Sequence, residues 1–264
     1  MLNSIKAPIM INIKSIRHPK ESTYFTIAAI VGVLIWTMAL FATIGLILIY
    51  LLLIALVLWI SGQYFKAIIY GNSVKVSSRQ YAELHKIISE QSQLLQLETT
   101  PDVFIYNGSG MVNAFAVKFL STRYIILMSD LVDLMLKRGK MDELAMIIGH
   151  ELGHHAAGHT NFRRTLLIQP ALFIPLLGSA YSRSCELTAD RIGYALTKNL
   201  LASQNALVAI ALGSESLANH TDIQEFIQQE IEIPPFMGFI HKIFSTHPRM
   251  TFRVSELSMF NYVG

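Results

Sequence analysis

Hydrophobic positions along the chain form one long block, followed by shorter periodic segments. Between Ser22 and Phe65 the sequence contains no Asp, Glu, Lys or Arg, and nearly every residue from Tyr24 to Ile60 is apolar. A single helix over residues 24–60 would be about 55 Å long, whereas the hydrocarbon core of a bilayer is about 30 Å thick. Two shorter spans do fit. The pattern therefore predicts a transmembrane helical hairpin, residues 24–42 and 46–63, with its turn at Thr43, Ile44 and Gly45.

The remaining pattern predicts a mixed, mostly helical domain. Apolar residues recur at helical spacing from Tyr81 to Leu95, after a possible cap at Ser77 or Ser78. Three β-rich runs, residues 102–106, 111–119 and 124–128, predict a small three-stranded sheet. A helix starting at Ser129 is expected to end at Gly139, and acidic residues from Asp142 open the next one. The fold class is α+β, divided into a leader (1–23), the hairpin (24–63) and a domain (64–264).

Charge is scarce and unevenly placed. Charged residues make up 15% of the chain, 52% is hydrophobic, and the mean hydropathy is +0.44. The whole net charge of +3 sits in the leader, which carries Lys6, Lys14, Arg17 and Lys20 against Glu21. A balanced remainder without a basic stripe argues against nucleic-acid binding. Because Lys and Arg flank both outer ends of the hairpin, both flanks are predicted to be cytoplasmic. The single cysteine allows no internal disulfide.

A metal-binding motif lies within the helix that starts near Asp142. Residues 150–154 read His-Glu-Leu-Gly-His, the H-E-x-x-H pattern. Side chains four apart share one helix face, so His150 and His154 can reach one Zn²⁺, with Glu151 beside the open coordination position. Two histidines leave the ion short of a ligand, so a third ligand is expected elsewhere.

Three residues are candidates for this third ligand. His159 is one position short of the third histidine of the metzincin pattern, and Cys185 stands alone. Glu186 is favoured, because Glu186 and Asp190 lie four apart on another predicted helix and would share a face. Asp190 could then accept the other ring N–H of a ligand histidine. The alternative is that both acids lie on a solvated helix face.

Other polar residues near the motif are expected to have structural roles. Cys185 is interpreted as small packed bulk, and His155 and His159 as surface residues or residues that orient ligands. The apolar segment 166–181 contains Pro170 and Pro175. A single crossing there would put Glu186 on the opposite side of the membrane from His150. This segment is therefore predicted to be an amphiphilic or membrane-dipping element, or a core-facing loop.

Four motifs together give the chain a family resemblance. They are His150 to His154, Glu186 to Asp190, Asn113-Ala114-Phe115-Ala116, and Ser245-Thr246-His247-Pro248 with Arg253. In this order and spacing they resemble the integral-membrane zinc metallopeptidases that include the CAAX prenyl protease and the heat-shock protease HtpX. The resemblance implies a gluzincin-type fold, endopeptidase activity, and His150, His154 and Glu186 as ligands of one Zn²⁺.

The same resemblance implies two further sets of site residues. Asn113, Ala114, Phe115 and Ala116 would form an edge strand along which substrate lies, while His247 and Arg253 would bind the scissile carbonyl or the transition state. An edge strand suits this task, because its unpaired N–H and C=O groups can pair with any extended peptide. Without the resemblance, residues 113–116 would be interpreted as interior strand residues, and His247 as a helix-cap residue before Pro248.

The expected function is metal-assisted peptide-bond hydrolysis, with Glu151 as general base and later general acid. Its expected partners are protein or peptide substrates and the lipid bilayer. The catalytic domain is expected on the cytoplasmic side of a cell or inner membrane, with membrane-protein quality control as a role. The rival interpretation is a membrane-anchored zinc-binding adaptor that holds partners without cutting them. Intact Glu151 argues against the adaptor, since a purely structural zinc site needs no base.

Overall fold

The computed structural model describes residues 10–260 except 44, 120, 121, 138 and 175. Ile44 of the predicted turn, Pro175 of the apolar segment 166–181 and Lys6 of the leader lie outside this set. Within the described residues the helices are α1 (Ile13–Ile16), α2 (Pro19–Ala42), α3 (Leu46–Asn72), α4 (Ala82–Leu94), α5 (Ser129–Lys137), α6 (Met141–Ala156), α7 (Phe162–Leu172), α8 (Leu177–Thr197), α9 (Leu200–Leu212), α10 (Glu215–Ala218), α11 (Ile223–Gln228), a 3₁₀ turn (Gln229–Glu232), α12 (Pro235–Phe244) and α13 (Met250–Met259).

The two long apolar helices meet at the predicted turn and extend beyond the predicted outer ends. The predicted end of α2 at Ala42 and start of α3 at Leu46 are confirmed. Helix α2 begins earlier than predicted, because Pro19 occupies a first-turn position and His18 accepts a hydrogen bond from the Lys20 N–H. Of the most apolar 18-residue window in each helix, only 11% is buried in α2 and 6% in α3. A core helix of a soluble protein would be mostly buried. Their length and exposure fit lipid contact.

Among the described residues the sheet has four strands, where three were predicted. They are β1 (Ser73–Lys75), β2 (Asp102–Tyr106), β3 (Ala114–Phe119) and β4 (Thr122–Met128), in the order β1-β2-β4-β3. Strand β2 is parallel to β4, and the other two pairs are antiparallel. Strand β1 was not predicted, because three residues are too short to show an alternating pattern. In the sheet formed by the described residues, β3 has a neighbour on one side only.

Two predicted helix boundaries have different outcomes. The predicted cap of α4 at Ser77 or Ser78 is wrong, because the Ser77 N–H donates to the carbonyl of Gln80 in a tight turn and the helix starts only at Ala82. The predicted stop at Gly139 is confirmed. This residue has φ +62° and follows α5, in the left-handed conformation that glycine adopts readily.

Segment 166–181 folds as a helix–turn–helix that packs on α2. The Trp36 indole Nε1 donates to the carbonyl of Leu166 at 3.0 Å, and a Cβ on Gly32 would lie 2.2 Å from the carbonyl oxygen of Leu167. The turn between α7 and α8 exposes apolar side chains, with Phe173 79% exposed. Among the described residues, only α2 and α3 are long and apolar enough to span a membrane. The chain thus turns back on itself here, as an amphiphilic element.

Helices α6 and α8 lie in near backbone contact at the centre of the domain. A Cβ on Gly193 of α8 would lie only 2.7 Å from the carbonyl oxygen of Met146 on α6, so the crossing requires glycine. Helix α6 also packs against α9, α4 and the sheet. The largest hydrophobic cluster surrounds it, with Leu144, Ile148 and Leu152 fully buried. This close crossing brings side chains of α6 and α8 within direct reach of each other.

Candidate metal centre and substrate cleft

The H-E-x-x-H residues lie in the last turns of α6, facing α8. His150 and Glu151 are buried, and His154 is largely buried. Their spacing puts both imidazoles on one face, where His150 Nε2 and His154 Nε2 are 3.2 Å apart. Both ring nitrogens therefore point towards one location, as the sequence predicts.

Glu186 of α8 completes a three-residue cluster. Its Oε2 lies 3.7 Å from His150 Nε2, and its Oε1 lies 3.5 Å from His154 Nε2. Ligands bound tetrahedrally at about 2.0–2.1 Å are separated by roughly 3.3 Å, so the donor atoms have nearly the spacing that one Zn²⁺ requires. The three residues can therefore hold a metal ion, and Glu186 does not lie on a solvated face.

Asp190 lies one turn after Glu186, beside His150. Its Oδ1 is 2.9 Å from His150 Nδ1, so it can accept the proton on the nitrogen that faces away from the cluster. Burial alone would raise the pKa of Asp190, but the Arg253 guanidinium and the contact with His150 together outweigh this and lower the pKa to about 2. The carboxylate therefore stays charged, as its predicted orienting role requires.

Histidines 155 and 159 differ in their surroundings. The buried His155 ring contacts the carbonyl of Tyr124 and the hydroxyl of Thr160, so it joins α6 to the sheet, and the surface interpretation is wrong for this residue. His159 Nδ1 lies 2.9 Å from His154 Nδ1. Burial lowers the pKa of His159. His159 thus contacts a candidate metal ligand from behind.

Glu151 lies between the cluster and the edge strand. Burial raises its pKa to about 7, even though His150 acts in the opposite direction. The carboxylate also accepts a backbone hydrogen bond from Ala116 of β3. A carboxyl group with a pKa near neutrality, beside a possible metal site, is suited to both accepting and delivering a proton.

The residues predicted to bind substrate lie at the open edge of the sheet. Asn113 precedes β3, and Ala114, Phe115 and Ala116 lie within it. The Ala114 N–H donates to Asn113 Oδ1 at 2.9 Å, and the Ala116 N–H donates to Glu151. Both N–H groups thus point away from β4. The interior-strand alternative is wrong for residues 114–116, because β3 pairs with β4 alone in the described sheet.

His247 and Arg253 both reach the cluster, but in different environments. The His247 side chain is 67% exposed, and its Nε2 lies 3.8 Å from Glu186 Oε1. Arg253, by contrast, is buried and hydrogen-bonded twice to Asp190, with Nη1 3.7 Å from Glu186 Oε2. His247 is thus open to a bound molecule, whereas Arg253 lies behind the cluster.

These residues surround one large cleft of about 780 Å³. Its polar wall carries the cluster, Glu151, His247 and the edge strand. Its other wall is apolar and comes from the α7–α8 turn and the end of α12, where Phe173, Leu176 and Phe244 are all well exposed. The cleft is therefore open, with its apolar rim next to α2.

One residue of this region, Glu21 of α2, was not predicted to lie here. It is fully buried, and its Oε2 lies 3.2 Å from His159 Nε2. In the sequence it counted only as the single acid of the basic leader. Cys185 is buried close by, as predicted for packed bulk, and burial raises its pKa to about 12.

The chain is similar to known metallopeptidases over most of its length. The model of Peptidase family M48 matches residues 78–178 and 163–260. The chain is 28% identical over 219 residues to a protease HtpX homolog of Salinibacter ruber, covering 69% of this chain and 76% of the relative. It is 26% identical over 173 residues to the chloroplastic plastoglobule-localized metallopeptidase 48 of Arabidopsis thaliana, covering 60% of this chain and 48% of that protein. It therefore spans about half the length of the plant relative.

The fold is also similar to that of a solved structure, the S. mikatae Ste24p crystal structure. The TM-score is 0.50 at 16% identity, covering 88% of this chain and 66% of the other. This likeness concerns the fold, and it fits the gluzincin-type arrangement that the motifs imply. Because the family model covers well over half of the chain, the protein belongs to peptidase family M48.

Proposed function

We propose that the protein is a membrane-anchored zinc metalloendopeptidase that hydrolyses peptide bonds in extended or unfolded protein segments. The observation that carries this proposal is the convergence of His150, His154 and Glu186, with Glu151 between this cluster and an open strand edge. Ion, base and peptide-binding edge would then lie in one cleft, which is what peptide hydrolysis requires.

The chemistry divides between the ion and the chain. A bound Zn²⁺ would supply an acidic water molecule and polarise the scissile carbonyl. Glu151 would take the proton of the attacking water and deliver it to the leaving amine. Burial raises the pKa of Glu151 above its ordinary value, the direction that suits a carboxyl group which must both take up and deliver a proton. His247, exposed at the rim, would donate to the developing oxyanion.

Substrate would bind as an additional strand along β3. The outward N–H groups of Ala114 and Ala116 are held by Asn113 and Glu151, so an arriving peptide would exchange these contacts for main-chain pairing. Main-chain pairing does not read side chains, which supports a preference for extended conformation over sequence. Folded domains would enter poorly, because their strands are already paired.

The apolar rim of the cleft supports the proposal that the substrates lie close to the membrane. Leu176 and Leu177 at the α7–α8 turn share a surface depression with Tyr24 and Ile27 near the start of α2. Exposed segments of damaged membrane proteins would meet the cleft at this level, consistent with a role in membrane-protein quality control. Basic residues on both flanks of the hairpin support a cytoplasmic catalytic domain.

The test is digestion of casein, an unfolded model substrate, by detergent-purified full-length protein. Wild type, Glu151→Gln, the exposed control Glu90→Gln, and chelated then zinc-restored wild type are compared. We expect wild type and Glu90→Gln to cleave casein and Glu151→Gln not to cleave it. Chelation should abolish cleavage by wild type, and added zinc should restore it. If no sample cleaves casein although zinc is bound stoichiometrically, the endopeptidase proposal fails and the adaptor interpretation replaces it.

A further inference from the structure

Glu21 is a buried acid without a part in the proposed chemistry. Its carboxylate oxygen Oε1 accepts hydrogen bonds from Arg17 and, at 2.8 Å, from Arg164 Nη2. Oε2 accepts one from Thr188 Oγ1 at 2.6 Å and lies 3.2 Å from His159 Nε2. The two arginines also both donate to the carbonyl of Ala157 at 2.9 Å. An acid of the first apolar helix is thus fixed beside the end of α6.

The surroundings of Glu21 do not favour a second metal site, although donor atoms of Glu21, His159 and Cys185 lie within 4.8 Å of one another. Two guanidinium groups and a hydroxyl already occupy the carboxylate. Two fixed positive charges would also repel a cation. A chain of polar contacts to the candidate metal ligand is the better description.

The proton positions along this chain follow from hydrogen-bond chemistry. If His154 binds a metal through Nε2, its Nδ1 carries the proton and donates to His159 Nδ1 at 2.9 Å. His159 must then accept at Nδ1 and carry its own proton on Nε2. That nitrogen faces Glu21 Oε2 at 3.2 Å, and a carboxylate can only accept. The Nδ1 proton of His154 is thus hydrogen-bonded to His159, and the Nε2 proton of His159 lies within ion-pair distance of the Glu21 carboxylate without an aligned hydrogen bond.

We propose that Glu21 and His159 are positioning residues for the metal ligand His154, so that the first apolar helix is part of the metal centre. The inference rests on the proposed function, because it assumes that His154 binds the ion. The chain fixes the tautomer and ring orientation of His154 before the ion arrives. It complements the contact of Asp190 with His150 Nδ1, so that each candidate histidine ligand has its own orienting carboxylate.

This arrangement gives α2 a second task besides anchoring. Glu21 lies in the first turn of α2, so any displacement of α2 relative to α6 would change the orientation of the His154 ring. A truncated protein that begins after α2 would retain all three candidate ligands but lose Glu21 and Arg17. It is expected to bind the metal more weakly than the full-length protein.

The test is the dissociation constant for Zn²⁺ in detergent-purified full-length protein, measured by competition with a chelating indicator. Glu21→Gln and His159→Leu are each expected to weaken binding about 10- to 100-fold, the usual effect of losing a residue that orients a metal ligand. His159→Asn, which keeps an acceptor close to the Nδ1 position, is expected to restore part of the affinity. In the Co²⁺ form, the visible absorption of the two weakened variants should shift together, because both lose the same ring orientation.

Asp102→Asn is the matched control, since Asp102 also accepts from a basic side chain, Lys75, and a hydroxyl, that of Tyr70, but lies outside the cleft. The double variant Glu21→Gln/His159→Leu shows whether the two residues act through one series of contacts or separately. If the double variant loses no more zinc affinity than the worse single variant, the two residues act through one series of contacts. Losses that multiply, or affinities equal to wild type in both single variants, would overturn it. If Glu21→Gln fails to fold, the comparison of His159→Leu with His159→Asn decides alone.

Failure of this inference is distinguishable from failure of the proposed function. Unchanged zinc affinity in variants of an active protease removes the positioning role and leaves the protease. If the variants bind zinc more weakly but the wild-type protein never cleaves a substrate, the protease proposal fails and the positioning role stands.

Discussion

Arg253 and Asp190 form a buried, two-bonded ion pair behind the candidate metal centre. Arg253 Nε donates to Asp190 Oδ2 at 2.7 Å, and Nη2 donates to Oδ1 at 2.6 Å. The same Oδ1 lies 2.9 Å from His150 Nδ1. The family resemblance implies that Arg253 binds the transition state, whereas its two bonds to Asp190 favour an indirect action through His150.

Replacing Arg253 should therefore affect stability and metal binding as well as rate. Arg253→Ala would leave Asp190 as a buried charge without its partner, which typically costs about 3–5 kcal/mol. We expect a lower unfolding temperature and weaker zinc binding, measured by thermal denaturation and by metal competition. If instead zinc affinity and stability are unchanged while kcat falls, Arg253 acts on the transition state directly.

Glu151→Gln should separate metal binding from catalysis. The amide has nearly the same shape but cannot accept the proton of the attacking water, and general acid–base catalysis typically contributes 10²- to 10⁴-fold. We expect the rate of peptide cleavage to fall by this range while zinc stays bound at the wild-type level. His150→Ala serves as the contrast and should lose the metal. Near-normal cleavage by Glu151→Gln would rule out its role as base.

The sequence predicted the cluster because its spacing is local to two helices. His150 and His154 share a face by helical periodicity alone, and Glu186 and Asp190 share another. What periodicity cannot give is the approach of α6 to α8, which depends on Gly193 fitting against the carbonyl of Met146. The four-motif resemblance supplied that pairing.

Glu21 and β1 were missed for different physical reasons. Glu21 lies more than a hundred residues from His159 in the sequence, so their contact depends on how α2 packs against the domain. A single acid at a helix start is ordinary on composition alone. Strand β1 has only three residues, and its pairing with β2, not its own pattern, makes it a strand.

The packing of α2 on α7 should depend on the absence of a side chain at Gly32. A Cβ there would lie 2.2 Å from the carbonyl oxygen of Leu167, so Gly32→Ala must separate the two backbones. We expect a loss of about 1–3 kcal/mol, the usual cost of overpacking, measured by chemical unfolding in detergent. Gly71→Ala in α3 is the control, since a Cβ there meets nothing within 4 Å. Equal stability of the two variants would show that α2 and α7 are not tightly packed.

Ala114→Pro should weaken substrate binding without breaking the sheet. The Ala114 N–H donates to Asn113 Oδ1 and not to β4, so proline removes a donor that the sheet does not use and that substrate would take over from Asn113. One lost hydrogen bond, worth about 0.5–1.5 kcal/mol, should lower kcat/KM by roughly 2- to 13-fold, with an unchanged unfolding temperature. Phe115→Pro is the contrast. Its N–H faces β4 by strand alternation, so that variant should be destabilised. An unchanged kcat/KM in Ala114→Pro would argue against substrate pairing at this position.

Cys185 should be nearly unreactive towards thiol reagents in the folded protein. Burial raises its pKa from 9.0 to about 12, so at pH 8 the thiolate fraction is roughly a thousandth of that in the unfolded chain. We expect iodoacetamide labelling to be slow in the native state and fast in denaturant, as followed by mass spectrometry, with Lys86→Cys on the exposed face of α4 as the reactive control. Since the folded pKa is raised, the thiol's contribution to stability is fully present below about pH 9. It is lost as the pH rises towards 12, because only the unfolded chain ionises in that window. Rapid native labelling of Cys185 at pH 8, with Lys86→Cys no faster, would mean that the core between α2 and α8 opens readily.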